Sequence, residues 1–310
     1  MRRASLIVFA CLMSLQLGML MPRLVENGSQ AEPATANGEL PCLAQDAHHE
    51  EPANIDDRAF KQRAVRDGGA LIESGQATEM AQLIKQLQLE QCELDLATDR
   101  RPSADSESLY EYAKESIVVI SAIYKCDRCD NWHAGCASGF VITSTGAVAT
   151  NYHVIDQPEK AGLVVMTADG RVLPVKRVLA ADEANDIAIV QVEGEGLKPL
   201  PIAADVAVGT PIALVSHPDE HYYSYTAGVV SRYTTVKAGR ERVRAMTITA
   251  DFARGSSGAP VLNMQGEVVG IVRATESVYY SVENGQQKNL QMVFKSCVPS
   301  ARLLSLVATP

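Results

Sequence analysis

The chain has 310 residues, enough for about two average domains, and with 46% apolar and 21% charged residues most of it can bury a core. A net charge of −9 and few aromatic residues argue against a nucleic-acid binder, which carries a basic footprint. No internal repeat stands out.

The N-terminus has the layout of an export signal. Arg2 and Arg3 precede the apolar run "ASLIVFACLMSLQLGMLM" (4–21), and Ser29-Gln30-Ala31 offers small residues at a cleavage site. Three readings stay open: a cleaved signal over 1–31, an uncleaved anchor, and a lipoprotein at Cys11. Each places the rest of the chain outside the cytoplasm, periplasmic or secreted, so a membrane would be met only through an N-terminal anchor. No later segment is apolar enough to span a bilayer.

Residues 32 to about 56 are rich in Ala, Pro, Glu, Asn and His and read as a linker. Between Ala59 and Leu96 the spacing turns helical, with Met80, Leu83, Ile84, Leu87 and Leu89 near one face. Gly68-Gly69 is expected to interrupt it. A helical pair docking on the main domain or on a partner is the plain reading, and "ATDRRPSADSES" (97–108) reads as a second linker. From Leu109 to the end short β runs alternate with turn signals such as "TSTGA", "TADGR" and "NMQGE". Strands are predicted near 116–125, 137–143, 146–150, 162–167, 171–179, 187–193, 210–216, 224–233, 245–250, 260–263, 267–274 and 290–296. So many short strands without helical crossovers make 109–310 an all-β sandwich or barrel pair.

"DFARGSSGAPVLNMQGEVVGIV" (251–272) sets two serines between glycines ahead of a buried strand. A serine hydroxyl becomes a nucleophile only with a base in reach and a group that fixes the base's tautomer. Of the six histidines, His48 and His49 lie in the linker, His133 among cysteines, and His217 and His221 in the polar loop "SHPDEHYYS". His153 closes the hairpin "GFVITSTGAVATNYHVID". In "ADEANDIAIVQV" Asp186 stands where an alternating strand begins, suited to receive an imidazole N–H; Asp182 is the competitor. Gly255 and Gly258 let the backbone turn tightly, and the N–H groups of Gly255 and Ser257 could hold an oxyanion, roughly 3 kcal/mol per donor.

These segments, in this order, resemble the trypsin-like (chymotrypsin-fold) serine endopeptidases, in particular the HtrA/Deg branch. "ASGFVITSTGAVATNYHV", "DEANDIAIVQV", "VGTPIALVSHP" with "YTAGVVSRY", "GSSGAPVLNMQGEVVGIV" and "MVFKSCVPSARL" carry the resemblance over about 109–308. It implies two six-stranded antiparallel β-barrels and peptide-bond hydrolysis through an acyl-enzyme. His153 is then base and acid, Asp186 its orienter and Ser257 the nucleophile, with Ser256 in a variable position. Gly255 and Ser257 are the oxyanion donors, proteins or peptides the substrates, and no metal is needed for catalysis. Ala259 replaces a usual glycine, and the PDZ domain common in that branch is not expected, since the chain ends within a dozen residues of "CVPSARL". Ser256 replaces the aspartate that digestive relatives pair with a newly cut N-terminus, so residues 32–108 are not expected to act as such an activation peptide.

Six cysteines follow the export segment: Cys42, Cys92, Cys126, Cys129, Cys136 and Cys297. They allow up to three disulfides in fifteen connectivities. "CDRCDNWHAGC" could equally give a structural Cys3His zinc site from Cys126, Cys129, His133 and Cys136, and free thiols remain a third reading. For the substrate pocket, Asp251 lies at the spacing that gives trypsin its basic preference, while Phe252 could narrow the pocket toward small aliphatic side chains. Two other functions compete with a protease. A catalytically silent protease-fold binding module would be free to lose triad residues, and all three are present. An esterase would need an α/β sheet and a different residue order.

Overall fold

A computed structural model describes residues 54–99 and 105–308; the predicted export segment and most of the predicted first linker lie outside the described residues. Two helices, α1 (Asp57–Glu73) and α2 (Met80–Lys85), lead to the short strand β1 (Cys92–Glu93) and to α3 (Ser106–Lys114). The first six barrel strands are β2 (Ile117–Lys125), β3 (Trp132–Val141), β4 (Ala147–Thr150), β5 (Gly162–Met166), β6 (Val172–Asp182) and β7 (Ile187–Val192), with α4 (Tyr152–Ile155) between β4 and β5. The second set is β8 (Pro211–Ser216), β9 (Ser224–Ala238), β10 (Glu241–Ile248), β11 (Pro260–Asn263), β12 (Val268–Glu283) and β13 (Gln286–Pro299). Helix α5 (Ser300–Leu304) and strand β14 (Val307–Ala308) close the chain.

Each set is a closed antiparallel barrel, in the order β2-β3-β4-β7-β6-β5 and β10-β13-β12-β11-β8-β9. The expected pair of six-stranded barrels is therefore present, and all twelve predicted strands are found. β12 and β13 run further than their sequence pattern suggested. Beyond Val272 the side chains of β12 turn to solvent, and the two strands continue as an arm. Its turn is Asn284-Gly285, with φ of 53° and 77°, the left-handed pair that a tight hairpin requires.

The helices belong to the same compact unit as the barrels. β2 is buried for seven successive residues. Its inner face lines the barrel and its outer face lies under α1, which is why it reads as continuous apolar sequence rather than alternation. Gly68 and Gly69 do not interrupt α1, contrary to expectation. Both are buried, and a Cβ would sit 2.8 Å from Ile123 Cδ1 at Gly68 and 2.5 Å from Trp132 Cδ1 at Gly69. Glycine here lets the helix backbone approach the sheet. The linker predicted over 97–108 also ends early. α3 starts at Ser106, capped by the Asp105 side chain, which accepts from Ser108 N–H at 2.9 Å, and it buries Leu109 and Ala113. β1 pairs in parallel with β14, tying the start of this unit to its end.

Candidate active site

His153 comes from the first turn of α4, just after β4. Asn151 stands before that helix, and its Nδ2 donates to the Asp186 carbonyl at 2.8 Å. Asp186 closes the turn between β6 and β7 with φ 59°, a left-handed conformation that Asp and Asn tolerate better than most residues. Its carboxylate lies 3.0 Å from His153 Nδ1 through both oxygens. Oδ1 also accepts the His153 backbone N–H at 3.1 Å. A carboxylate only accepts hydrogen bonds, so this pairing sets the imidazole proton on Nδ1 and leaves Nε2 as the basic nitrogen. Asp182 is occupied elsewhere, taking the Asn185 backbone N–H at 2.9 Å and its Nδ2 at 2.7 Å.

The loop 254–259 comes from the second barrel and is pinned to the first at Ser138 of β3. Ser138 N–H donates to the Ser257 carbonyl at 2.8 Å, and Ser138 Oγ to the Gly255 carbonyl at 2.9 Å. Thr150 Oγ1 donates to the Ser138 carbonyl at 2.9 Å. Gly258, at φ 86°, fits so closely that a Cβ would stand 2.2 Å from Ser138 O. Ser257 is therefore fastened to β3 through Ser138, which Thr150 holds in turn at the end of β4, two residues before the start of α4, the helix that carries His153.

Ser256 is fully buried, and its Oγ accepts from Ser216 Oγ at 3.0 Å. The N–H groups of Ser256 and Gly258 are taken by the carbonyls of Ala253 and Val272. Among the described residues no carbonyl takes the N–H of Gly255 or Ser257. Ala259 is buried in the second barrel's core, so its methyl is accommodated.

The remaining histidines divide by environment. His217 is buried against the rings of Tyr222 and Tyr223; its Nδ1 accepts from Tyr223 N–H at 3.1 Å, and burial pushes its pKa down to about 3. It is a neutral core residue. His221 is exposed on its loop, and His48 and His49 lie outside the described residues.

The pocket residues fare differently from each other. The Asp251 side chain is 86% exposed and pairs with Lys295 Nζ at 3.3 Å, an environment unlike a pocket floor. Phe252 is buried against the second barrel's core. Arg273 went unnoticed in the sequence; its Nε lies 3.6 Å from Asp186 Oδ2, and nothing in "IVRAT" marks it out.

Among the described cysteines none forms a disulfide, and Cys42 lies outside the described residues. The structure brings together Cys126, Cys129 and His133 but not Cys136. β3 begins at Trp132, earlier than its pattern suggested, so His133 and Cys136 stand three residues apart on one strand and face opposite ways. Cys136 Sγ instead approaches the His217 carbonyl at 3.9 Å, and burial pushes its thiol up to about 12.

Residues 137–271 match the trypsin-like peptidase domain family. A "Probable periplasmic serine endoprotease DegP-like" of Ectopseudomonas mendocina is 32% identical over 136 residues, 43% of this chain and 28% of the relative. The "Serine protease PepD" of Mycobacterium tuberculosis is 30% identical over 185 residues, 54% of this chain and 40% of the relative. The chain thus spans less than half the length of these relatives. In fold it is similar to an HtrA-type protease solved with a decapeptide, at 15% identity and a TM-score of 0.51 over 65% of each chain. No helix among the described residues is long and apolar enough to cross a membrane.

Proposed function

The chain carries a trypsin-like peptidase domain related to the HtrA/DegP serine proteases, and from that premise we propose that it is an exported serine endopeptidase acting through Ser257, His153 and Asp186. The observation that carries this reading is the His153–Asp186 pair, with Nδ1 held at 3.0 Å and Nε2 left basic, beside a serine loop fastened to the same barrel.

In this reading His153 Nε2 takes the Ser257 proton as Oγ attacks the scissile carbonyl. Asp186 stabilises the imidazolium and remains ionised. The oxygen, now negative, is met by the N–H groups of Gly255 and Ser257. His153 then returns the proton to the leaving amine, and a water activated by the same nitrogen releases the acyl group. Peptides are the natural substrate class, given that the HtrA-type neighbour was solved with a decapeptide. Export is supported by the N-terminal pattern and by the periplasmic relative. An enclosed Ser256 hydroxyl bonded to Ser216 leaves Ser257 as the reactive one of the pair.

A fluorophosphonate probe followed by mass mapping tests the assignment. Label is expected on Ser257 and absent from Ser256. Ser257→Ala should lower turnover by roughly 10⁶-fold, whereas Ser256→Ala should retain most of it. A label on Ser256, or full activity in Ser257→Ala, would overturn the reading.

A further inference from the structure

The turn joining β2 to β3 holds a cluster that the proposed chemistry does not use. Cys126 Sγ lies 3.3 Å from Cys129 Sγ, and Cys129 Sγ lies 3.1 Å from His133 Nε2. The three ligand atoms all fall within 4.8 Å of one another. The His133 ring is set by stacking on Tyr124, its cross-strand partner, with centroids 5.4 Å apart.

We propose that Cys126, Cys129 and His133 bind a zinc-class divalent cation at this hairpin tip, with water in the fourth position and Cys136 excluded. Two thiolates and an imidazole suit the borderline-soft zinc ion. A tetrahedral zinc with Zn–S bonds of about 2.3 Å holds its two sulfurs about 3.8 Å apart, so the cysteines need to separate by only about half an ångström. Binding replaces the two thiol protons, which leave to solvent, and uses the Nε2 lone pair of a His133 that keeps its proton on Nδ1. Cys136 cannot join, because strand alternation turns it away from His133 and toward the His217 carbonyl.

The cation would tie the turn to β3 at a point that also anchors α1. Trp132, next to His133, donates Nε1–H to Glu73 at 2.8 Å and covers Gly69. Metal binding should therefore stabilise the seat of the α1 C-terminus as well as the turn.

The test uses the full chain, purified without chelator from zinc-supplemented cells, with metal counted by mass spectrometry. About one zinc per chain is expected in the wild type and in Cys136→Ser. Cys126→Ser, Cys129→Ser and His133→Asn should each bind at least tenfold less tightly. Cobalt should give a sulfur-to-cobalt charge-transfer band in the wild type and in Cys136→Ser, weakened in either Cys126→Ser or Cys129→Ser. Should a variant fold poorly, chelation of the wild type decides: its melting temperature should fall and recover on adding zinc. A metal-free protein with titratable thiols, a Cys126–Cys129 disulfide in the purified chain, or metal lost only from Cys136→Ser would each overturn the proposal.

Discussion

Replacing Asp186 with Asn separates chemistry from folding. The left-handed backbone at 186, φ 59°, suits Asn as well as Asp, so the turn should survive. The electrostatics should not. Both carboxylate oxygens lie 3.0 Å from His153 Nδ1, so either amide orientation sets an NH2 group against that nitrogen. The amide lacks the charge that favoured a proton on Nδ1, and its NH2 favours Nδ1 as an acceptor with the ring proton on Nε2; in that tautomer the ring cannot take the Ser257 proton. One orientation also confronts the His153 backbone N–H, now 3.1 Å from Oδ1, and the other confronts Arg273, 3.6 Å from Oδ2. Turnover on casein or a peptide should fall about 10⁴-fold, equivalent to about 5.5 kcal/mol of transition-state stabilisation. The urea midpoint should move little, and raising the pH should not restore the rate. Asp182→Asn keeps an oxygen for the Asn185 N–H and should cost less than about tenfold. If Asp182→Asn proves the more damaging, or Asp186→Asn keeps a tenth of the activity, the assignment of the orienting acid is wrong.

Two further outcomes follow from burial. Gly258→Ala adds a methyl 2.2 Å from Ser138 O at φ 86°; left-handed strain and overpacking together should lower the melting temperature by roughly 5–15 °C, whereas Gly196→Ala, at φ 68° with nothing within 4 Å, should shift it far less, and equal shifts would contradict the packing argument. His217 stays neutral when folded but protonates when unfolded, so between its ordinary 6.5 and about 3 the unfolded state holds the extra proton and stability falls as pH drops, by up to about 1.4 kcal/mol per unit; urea midpoints of His217→Gln should show a shallower slope over that window, and an unchanged slope would refute it.

The catalytic candidates were legible because each sits in a local pattern. A hairpin ends at His153, an alternating strand begins after Asp186, and glycines bracket Ser257. Strand positions were legible for the same reason, since period-two alternation and turn residues are local. What escaped depends on tertiary contact. A double glycine costs helix stability locally, and only the close approach of Ile123 and Trp132 explains why α1 runs through it. Cys136 looked like a fourth ligand because β3 seemed to begin at 137. Starting the strand at Trp132 puts His133 and Cys136 on opposite faces. The reach of the β12–β13 arm was signalled by Asn284-Gly285, but its exposed strands lack the buried alternation that marks a strand in sequence.

The contacts of α1 bear on how the Gly255 N–H, one of the two proposed oxyanion donors, is aimed. A trans peptide points its C=O and N–H in opposite directions, so whatever holds the Arg254 carbonyl also orients the Gly255 N–H. That carbonyl accepts from Asp219 N–H at 2.6 Å, and Arg254 Nη2 pairs with Asp219 Oδ1 at 2.7 Å. The loop around Asp219 is strained: Asp219, Glu220 and Tyr223 have φ of 47°, 67° and 56°, and a left-handed non-glycine residue costs about 1–2 kcal/mol. Helix α1 braces it. Asp57 accepts the Tyr222 N–H at 3.0 Å, the Phe60 ring meets those of Tyr222 and Tyr223 at 5.6 and 5.9 Å, and Lys61 pairs with Glu220. A side-chain carboxylate of a helix thus meets this loop, while Ser256 is held by the Ser216 hydroxyl. Neither contact calls for a freshly cut N-terminal amine. In digestive relatives such an amine pairs with the aspartate beside the nucleophile; here Ser256 stands at that position, and α1 supports the loop that holds the Arg254 carbonyl.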